Sequence, residues 1–224
     1  MASSPQLPSK PARRNQEDRS EATRRKLIDA SLSCLETEGY AGTTISKIVA
    51  KAKVSRGAHV HHFPSKAALI EAAARELVKR VYEQLGNGFA TLGDKEDRLR
   101  AIAFLSWKML SHSKEFTVFM ELLQASRHDE ELAEVMRRLS SAARQVVKGA
   151  SEFYFETINP EDDATSLILL LHWQLSGMAM ESHLLGSEQR YEPYVEQLCE
   201  LLSARIKSKP GVSGPPPRPP KWVF

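Results

Sequence analysis

Residues 43–66 read "TTISKIVAKAKVSRGAHVHHFPSK". Thr43/Thr44 can open a short helix that turns Ile45, Ile48 and Val49 inward, and a hydroxyl ahead of an apolar-periodic run is a helix-start signal. "KAKV" (51–54) reads as a turn, Ser55 caps a further short helix to about His62, and Pro64 stops it. Ser65 caps again, and a long helix follows through Ala68, Leu69, Ala72, Leu77 and Val81. Two short helices joined by a tight turn, behind a longer first helix, make a helix-turn-helix.

Three imidazoles crowd this stretch, His59, His61 and His62, and histidine is a common metal ligand. On a helix, residues three apart share a face and their neighbours do not. His59 and His62 therefore share one side while His61 points elsewhere, and no Cys, Asp or Glu within the run completes a tetrahedral set. No metal and no cofactor are expected.

Charge is uneven along the chain. Residues 1–70 carry 12 Lys/Arg against 6 Asp/Glu, residues 71–208 carry 16 against 22, and Lys209 onward adds 3 more cations. A basic module joined to an acidic body suits a polyanionic partner. No apolar run reaches about 18 residues, so no membrane span is expected. The polar N-terminus has no signal-peptide core. Cys34 and Cys199 lie far apart in helical patterns, which fits a cytoplasmic chain with packed thiols rather than a disulfide. GxSxG, P-loop, GxGxxG and HExxH patterns are missing. "GNG" (86–88) lacks the third glycine of a nucleotide fingerprint and reads as a helix-breaking turn, so no enzyme is expected.

Helical spacing continues over the whole body. Ser20 is a plausible N-cap for a first helix with Leu27, Ala30, Ser31, Cys34 and Leu35 on one stripe, and Gly39 is placed to end it. Further helices are expected near 95–111, 115–127, 130–156, 162–185 and 191–207, started by Asp94, "NPEDD" and "EPY" and separated at Gly93 and Gly186. No stretch alternates as a strand would. The expected fold is all-α with about nine helices. It divides into a disordered basic arm (1–19), a helix-turn-helix domain (20–70), a helical ligand-binding and dimerisation domain (71–208) and a solvated Pro-rich tail (209–224).

The third helix carries the chemistry. With Val54, Ala58 and Phe63 used as anchors, Ser55, Arg56, Gly57, Val60 and His61 remain for the major groove of double-stranded DNA. Arg56 can meet guanine bidentately, the commonest specific base contact, and Gly57 permits a close backbone approach. Thr44, Lys47, His62, Ser65 and Lys66 are placed for phosphates.

Residues 22–72, with Glu36, Gly39, Tyr40, Thr43, Thr44, Ile48, Val49, Ala50, Val54, Ser55, Gly57, His62, Phe63, Ser65 and Lys66 at family spacing, resemble the DNA-binding domain of TetR-type (tetracycline repressor family) transcriptional regulators. Three positions depart from that pattern. Lys53 replaces the turn glycine, Val60 a tyrosine that contacts the DNA backbone, and His59 an aliphatic anchor.

The resemblance implies a homodimer on a palindromic operator, released by a small molecule and most often a repressor. It places the dimer interface on the last two long helices. Leu167, Leu170, Leu171, Gln174, Leu175 and Met178, with Leu198 and Leu201, are its candidates. An apolar or aromatic effector would meet Phe104, Trp107, Phe116, Phe119, Met120, Phe153 and Trp173, because such sites lie between helices and are mostly apolar. The alternative is a DNA-binding adaptor or architectural protein with no effector.

Overall fold

A computed structural model describes residues 12–91, 97–185 and 188–217. It divides into two compact units, Met1–Ala73 and Ala74–Phe224. Among the described residues there are nine α-helices, one 3-10 turn (Glu188–Arg190) and one two-stranded sheet. None of those helices is long and apolar enough to cross a membrane. All-α is the correct class.

The first unit holds α1 (Ala12–Gly42), α2 (Ile45–Ala52), α3 (Arg56–His62) and the start of α4 (Lys66–Ala90). Helix α1 begins well before Ser20, so residues 12–19 are helical rather than an irregular arm; residues 1–11 lie outside the described residues. The segment after Pro11 is proline-free and rich in good helix formers, and it supports itself locally. Arg25 pairs with Glu21 and Thr23 Oγ1 donates to the Arg19 carbonyl, both one turn apart. Gly39 kinks α1 at φ 69°, ψ −179°, a conformation open to glycine. The core joins Leu27, Ile28, Ala30 and Cys34 of α1 to Ile48 and Ala52 of α2, Phe63, and Leu69 and Ala72 of α4. Each fully buried Leu or Ile there contributes about 1.5–3 kcal/mol.

The second unit continues α4 and adds α5 (Arg98–His112), α6 (Lys114–Ala125), α7 (Glu130–Tyr154), α8 (Ala164–Leu185) and α9 (Glu192–Ser203). Side-chain caps fix the starts: Asp97 for α5, Ser113 for α6, Asp129 for α7 and Asp163 for α8. The start assigned to Asp94 and the breaks at Gly93 and Gly186 lie outside the described residues. Leu99, Trp107, Tyr154, Leu171, Leu175, Val195 and Leu202 share the main core.

Three expectations change. "GNG" does not break α4, which runs to Ala90. A Cβ on Gly88 would stand 2.4 Å from Leu105 Cδ2, so this glycine permits close packing inside the helix instead of ending it. The helices expected to reach 156 and 207 stop at Tyr154 and Ser203. Beyond them β1 (Phe155–Thr157) and β2 (Ile206–Ser208) pair antiparallel, with Glu156 opposite Lys207, and those two side chains form an ion pair at 3.0 Å. Lastly, residues 209–214 are docked rather than solvated: the Lys209 N–H donates to the Tyr154 carbonyl and Tyr154 Oη donates to the Gly214 carbonyl. Both cysteines are free and buried.

Candidate nucleic-acid interface

Helix α2 is capped by Thr44, whose Oγ1 accepts from the Lys47 N–H, and ends in a left-handed residue, Lys53 at φ 54°, ψ 43°. A non-glycine there costs about 1 kcal/mol. It is held by the Lys53 N–H donating to the Ala50 carbonyl (3.2 Å) and the Val54 N–H to the Val49 carbonyl (3.3 Å). Ser55 Oγ then accepts from the Ala58 N–H and starts α3, while Phe63 closes it by donating to the His59 carbonyl at 2.8 Å. Ser65 Oγ caps α4 by accepting from the Ala68 N–H at 3.0 Å.

This register brings Ser55, Arg56, Gly57, Val60 and His61 to solvent together, Val60 being 62% exposed. His62 is half-buried, its ring edge-on to His61 at 5.2 Å. A Cβ on Gly57 would meet nothing nearer than Ser55 Oγ at 3.9 Å. Nothing within the chain demands a glycine in this helix, where it costs about 0.5–1 kcal/mol relative to Ala. Among the described residues no cluster of three or more His, Cys, Asp and Glu could hold a metal.

Two expected phosphate ligands are engaged inside the unit. Lys47 Nζ donates to Glu38 and to the Gly42 carbonyl, and Lys66 Nζ donates to the Tyr40 carbonyl at 3.2 Å while lying 4.3 Å from the Tyr40 ring centroid. Both tie later elements to the end of α1. Lys66→Ala is therefore expected to lower the stability of this unit by about 1–2 kcal/mol and to leave the salt dependence of DNA binding unchanged. A DNA-binding salt slope reduced by about 1 would return Lys66 to the phosphates.

The spacing gave no hint of Arg24, whose guanidinium sits over the Phe63 ring at 5.5 Å. His59 is 4% exposed with neither ring nitrogen hydrogen-bonded. Burial, and then the charge of Arg56, push its pKa below the ordinary imidazole value.

In the second unit the expected effector residues disperse. Trp107 is buried in the main core with Phe104 and Phe153 against it, whereas Phe116, Phe119 and Met120 lie on α6. Trp173 is 51% exposed, with the Arg144 guanidinium 5.5 Å from its ring centroid, so it does not belong to that core. Trp107 Nε1 and Tyr191 Oη are buried without partners, and the two rings lie 5.2 Å apart. An open groove of about 360 Å³ lies elsewhere, along α6 and α7 between Leu123, Met136, Ser140 and Arg144, and none of the expected effector residues lines it.

The dimer candidates split by burial. Leu167, Leu171, Leu175 and Met178 are in the unit's own core, Leu198 is half-buried against it, and Leu170, Gln174 and Leu201 are exposed. Leu170, Trp173, Met180 and Leu184 form one exposed stripe along α8, and Tyr194 and Leu201 stand exposed on α9.

Residues 27–73 match the model of the bacterial regulatory proteins of the tetR family. The chain is 29% identical over 205 residues to the HTH-type transcriptional regulator CymR of Pseudomonas putida, covering 87% of this chain and 96% of that one. Over most of its length the chain resembles TetR-type transcriptional regulators. An uncharacterized HTH-type transcriptional regulator of Mycobacterium tuberculosis is 27% identical, over 86% of this chain and 99% of its own. A TetR transcriptional regulator from Chloroflexus aurantiacus J-10-FL superimposes with a TM-score of 0.67 over 86% of this chain and 100% of that one, at 21% identity. The multidrug binding protein EbrR, complexed with imidazole, gives 0.57 over 78% and 93%, at 18% identity. Helix α2, the turn after it and α3 form a helix-turn-helix inside the matched residues.

Proposed function

We propose that this regulator represses transcription by binding a palindromic operator as a homodimer, and that a small apolar or aromatic molecule taken up by the second unit releases it. The observation that carries the DNA reading is the exposed face of α3. Arg56 is free to present a guanidinium at the helix start, Val60 can meet a thymine methyl, and Gly57 leaves the backbone open to a close approach. Two such helices would enter successive major grooves, about 34–36 Å apart. The exposed apolar stripe of α8 with Leu201 of α9 supports the second copy, because a monomer gains nothing by leaving so much apolar surface in water. The fold neighbour described as multidrug binding and the unpartnered Trp107 and Tyr191 donors support an effector in the helical body.

Selecting bound duplexes from random DNA tests this directly: a two-fold symmetric site is expected, and enrichment of no palindrome sinks the reading. On that site Arg56→Ala should cost about 1–3 kcal/mol and relax preference at one base pair per half-site, with non-specific affinity nearly unchanged. Operator affinity that ignores every member of a broad small-molecule library would instead favour an adaptor without effector.

A further inference from the structure

We propose that residues 209–214 form a strap that clamps the far end of α4, with Arg98 and Tyr154 as the positioning residues that hold it. Arg98 is 1% exposed, and a guanidinium so deeply buried needs acceptors. It finds them on the strap: Nη2 donates to the Val212 carbonyl and Nη1 to the Lys209 carbonyl at 3.5 Å, while its face lies 5.1 Å from the Tyr154 ring centroid. Tyr154, also 1% exposed, donates its hydroxyl to the Gly214 carbonyl at 2.7 Å, and its own carbonyl accepts from the Lys209 N–H at 2.8 Å. Lys209 Nζ reaches the Glu152 carbonyl at 2.5 Å. Gly211 and Gly214 turn the strap at φ 70° and φ 77°, and Val212 rests against the main core.

The same Tyr154 ring meets Phe89, in the last turn of α4, edge-on at 6.1 Å. Strap, Arg98, Tyr154 and Phe89 are thus one connected stack inside the second unit. Undocking the strap takes two carbonyl acceptors, those of Lys209 and Val212, from a buried cation, which is unfavourable. Docked and undocked are therefore discrete arrangements rather than a continuum. Three residues separate the end of α3 at His62 from the start of α4 at Lys66, so what fixes the far end of α4 bears on the reading helix. The consequence for DNA rests on the operator reading above; the clamp itself does not.

The test compares the full chain with a chain ending at Ser208, with Tyr154→Phe and with Arg98→Met. Amide exchange over residues 85–90 is expected to quicken at least about ten-fold in the shortened chain and a few-fold in the two substitutions, with α6 amides unchanged. Operator affinity in the shortened chain is expected to fall about ten-fold, within the range of such couplings. In the Arg98→Met background, shortening the chain should have a smaller effect than in the parent, because the buried cation is gone. Unaltered exchange over 85–90 overturns the clamp, and faster exchange with unaltered operator affinity overturns its link to DNA. Should the shortened chain fail to fold, Tyr154→Phe and Arg98→Met decide by the same readouts. If the intact chain selects no operator, that failure belongs to the operator reading, and the exchange result alone decides the clamp.

Discussion

Replacing Leu170 and Leu201 together by glutamate is expected to leave the chain folded, turn it monomeric and weaken operator binding at least about 100-fold. Leu170 is 54% exposed and Leu201 70% exposed, and neither belongs to the main core. In a lone chain these changes remove apolar surface from water and leave the buried Leu171, Leu175 and Leu202 in place. In a symmetric pair each copy instead brings two carboxylates into an apolar seam, at several kcal/mol per unpaired ion, and forfeits about 1.5–3 kcal/mol for each leucine it would have buried. Gly177 faces outward on the same helix with nothing within 4 Å of its would-be Cβ, so a second helix can approach the seam closely. Half an operator held by a lone copy loses the avidity that joined copies gain, commonly 10²–10⁴-fold. Sedimentation, circular dichroism and titration with the selected operator check the three parts. A double variant that still sediments as a dimer would place the interface elsewhere.

That stripe also shows where sequence reasoning stops. The helix-turn-helix was legible because its determinants are local: Thr44, Ser55 and Ser65 cap three successive helices, and Pro64 and the left-handed Lys53 lie between them. The exposed face of α3 follows from the spacing of its apolar anchors. Helix α8 offers no such contrast, since "SLILLLHWQLSGMAM" is apolar all round and a helix of that kind has no sequence-visible inner side. Tertiary packing decides that Leu167, Leu171, Leu175 and Met178 turn in while Leu170, Trp173 and Met180 turn out. Long-range partners explain the other differences. Nothing around Gly88 announces Leu105, nothing around Phe155 announces Ser208, and nothing in the Pro-rich tail announces the buried guanidinium of Arg98. The commitment of Lys66 to Tyr40 is of the same type, a contact between positions far apart in the chain.

His59→Leu is expected to stabilise the first unit by about 1–3 kcal/mol at pH 7.5 and by more at pH 5.5. The ring is 4% exposed and both its nitrogens lack hydrogen-bond partners, so the native state carries the full desolvation penalty of a polar group. Leucine fills similar space with no such penalty and meets a core of Leu27, Ile28, Ile48 and Phe63. The pH dependence follows from the depressed imidazole pKa, caused first by burial and second by Arg56, the charged neighbour that acts on it from its own helix. An unfolded ring protonates near the ordinary value of 6.5, while the folded ring resists the proton. The unfolded chain therefore binds more protons as pH falls below 6.5, and native stability is lost on acidification by up to about 1.4 kcal/mol per pH unit. Above 6.5 both forms are neutral and the term vanishes. Leucine removes it, so the gap between variant and parent should widen from pH 7.5 to pH 5.5. Protection factors of α2 and α3 amides, corrected for intrinsic exchange at each pH, measure both quantities. Equal protection in the two chains at both pH values would mean that the His59 ring finds hydrogen-bond partners in solution, and that this substitution in the scaffold is neutral.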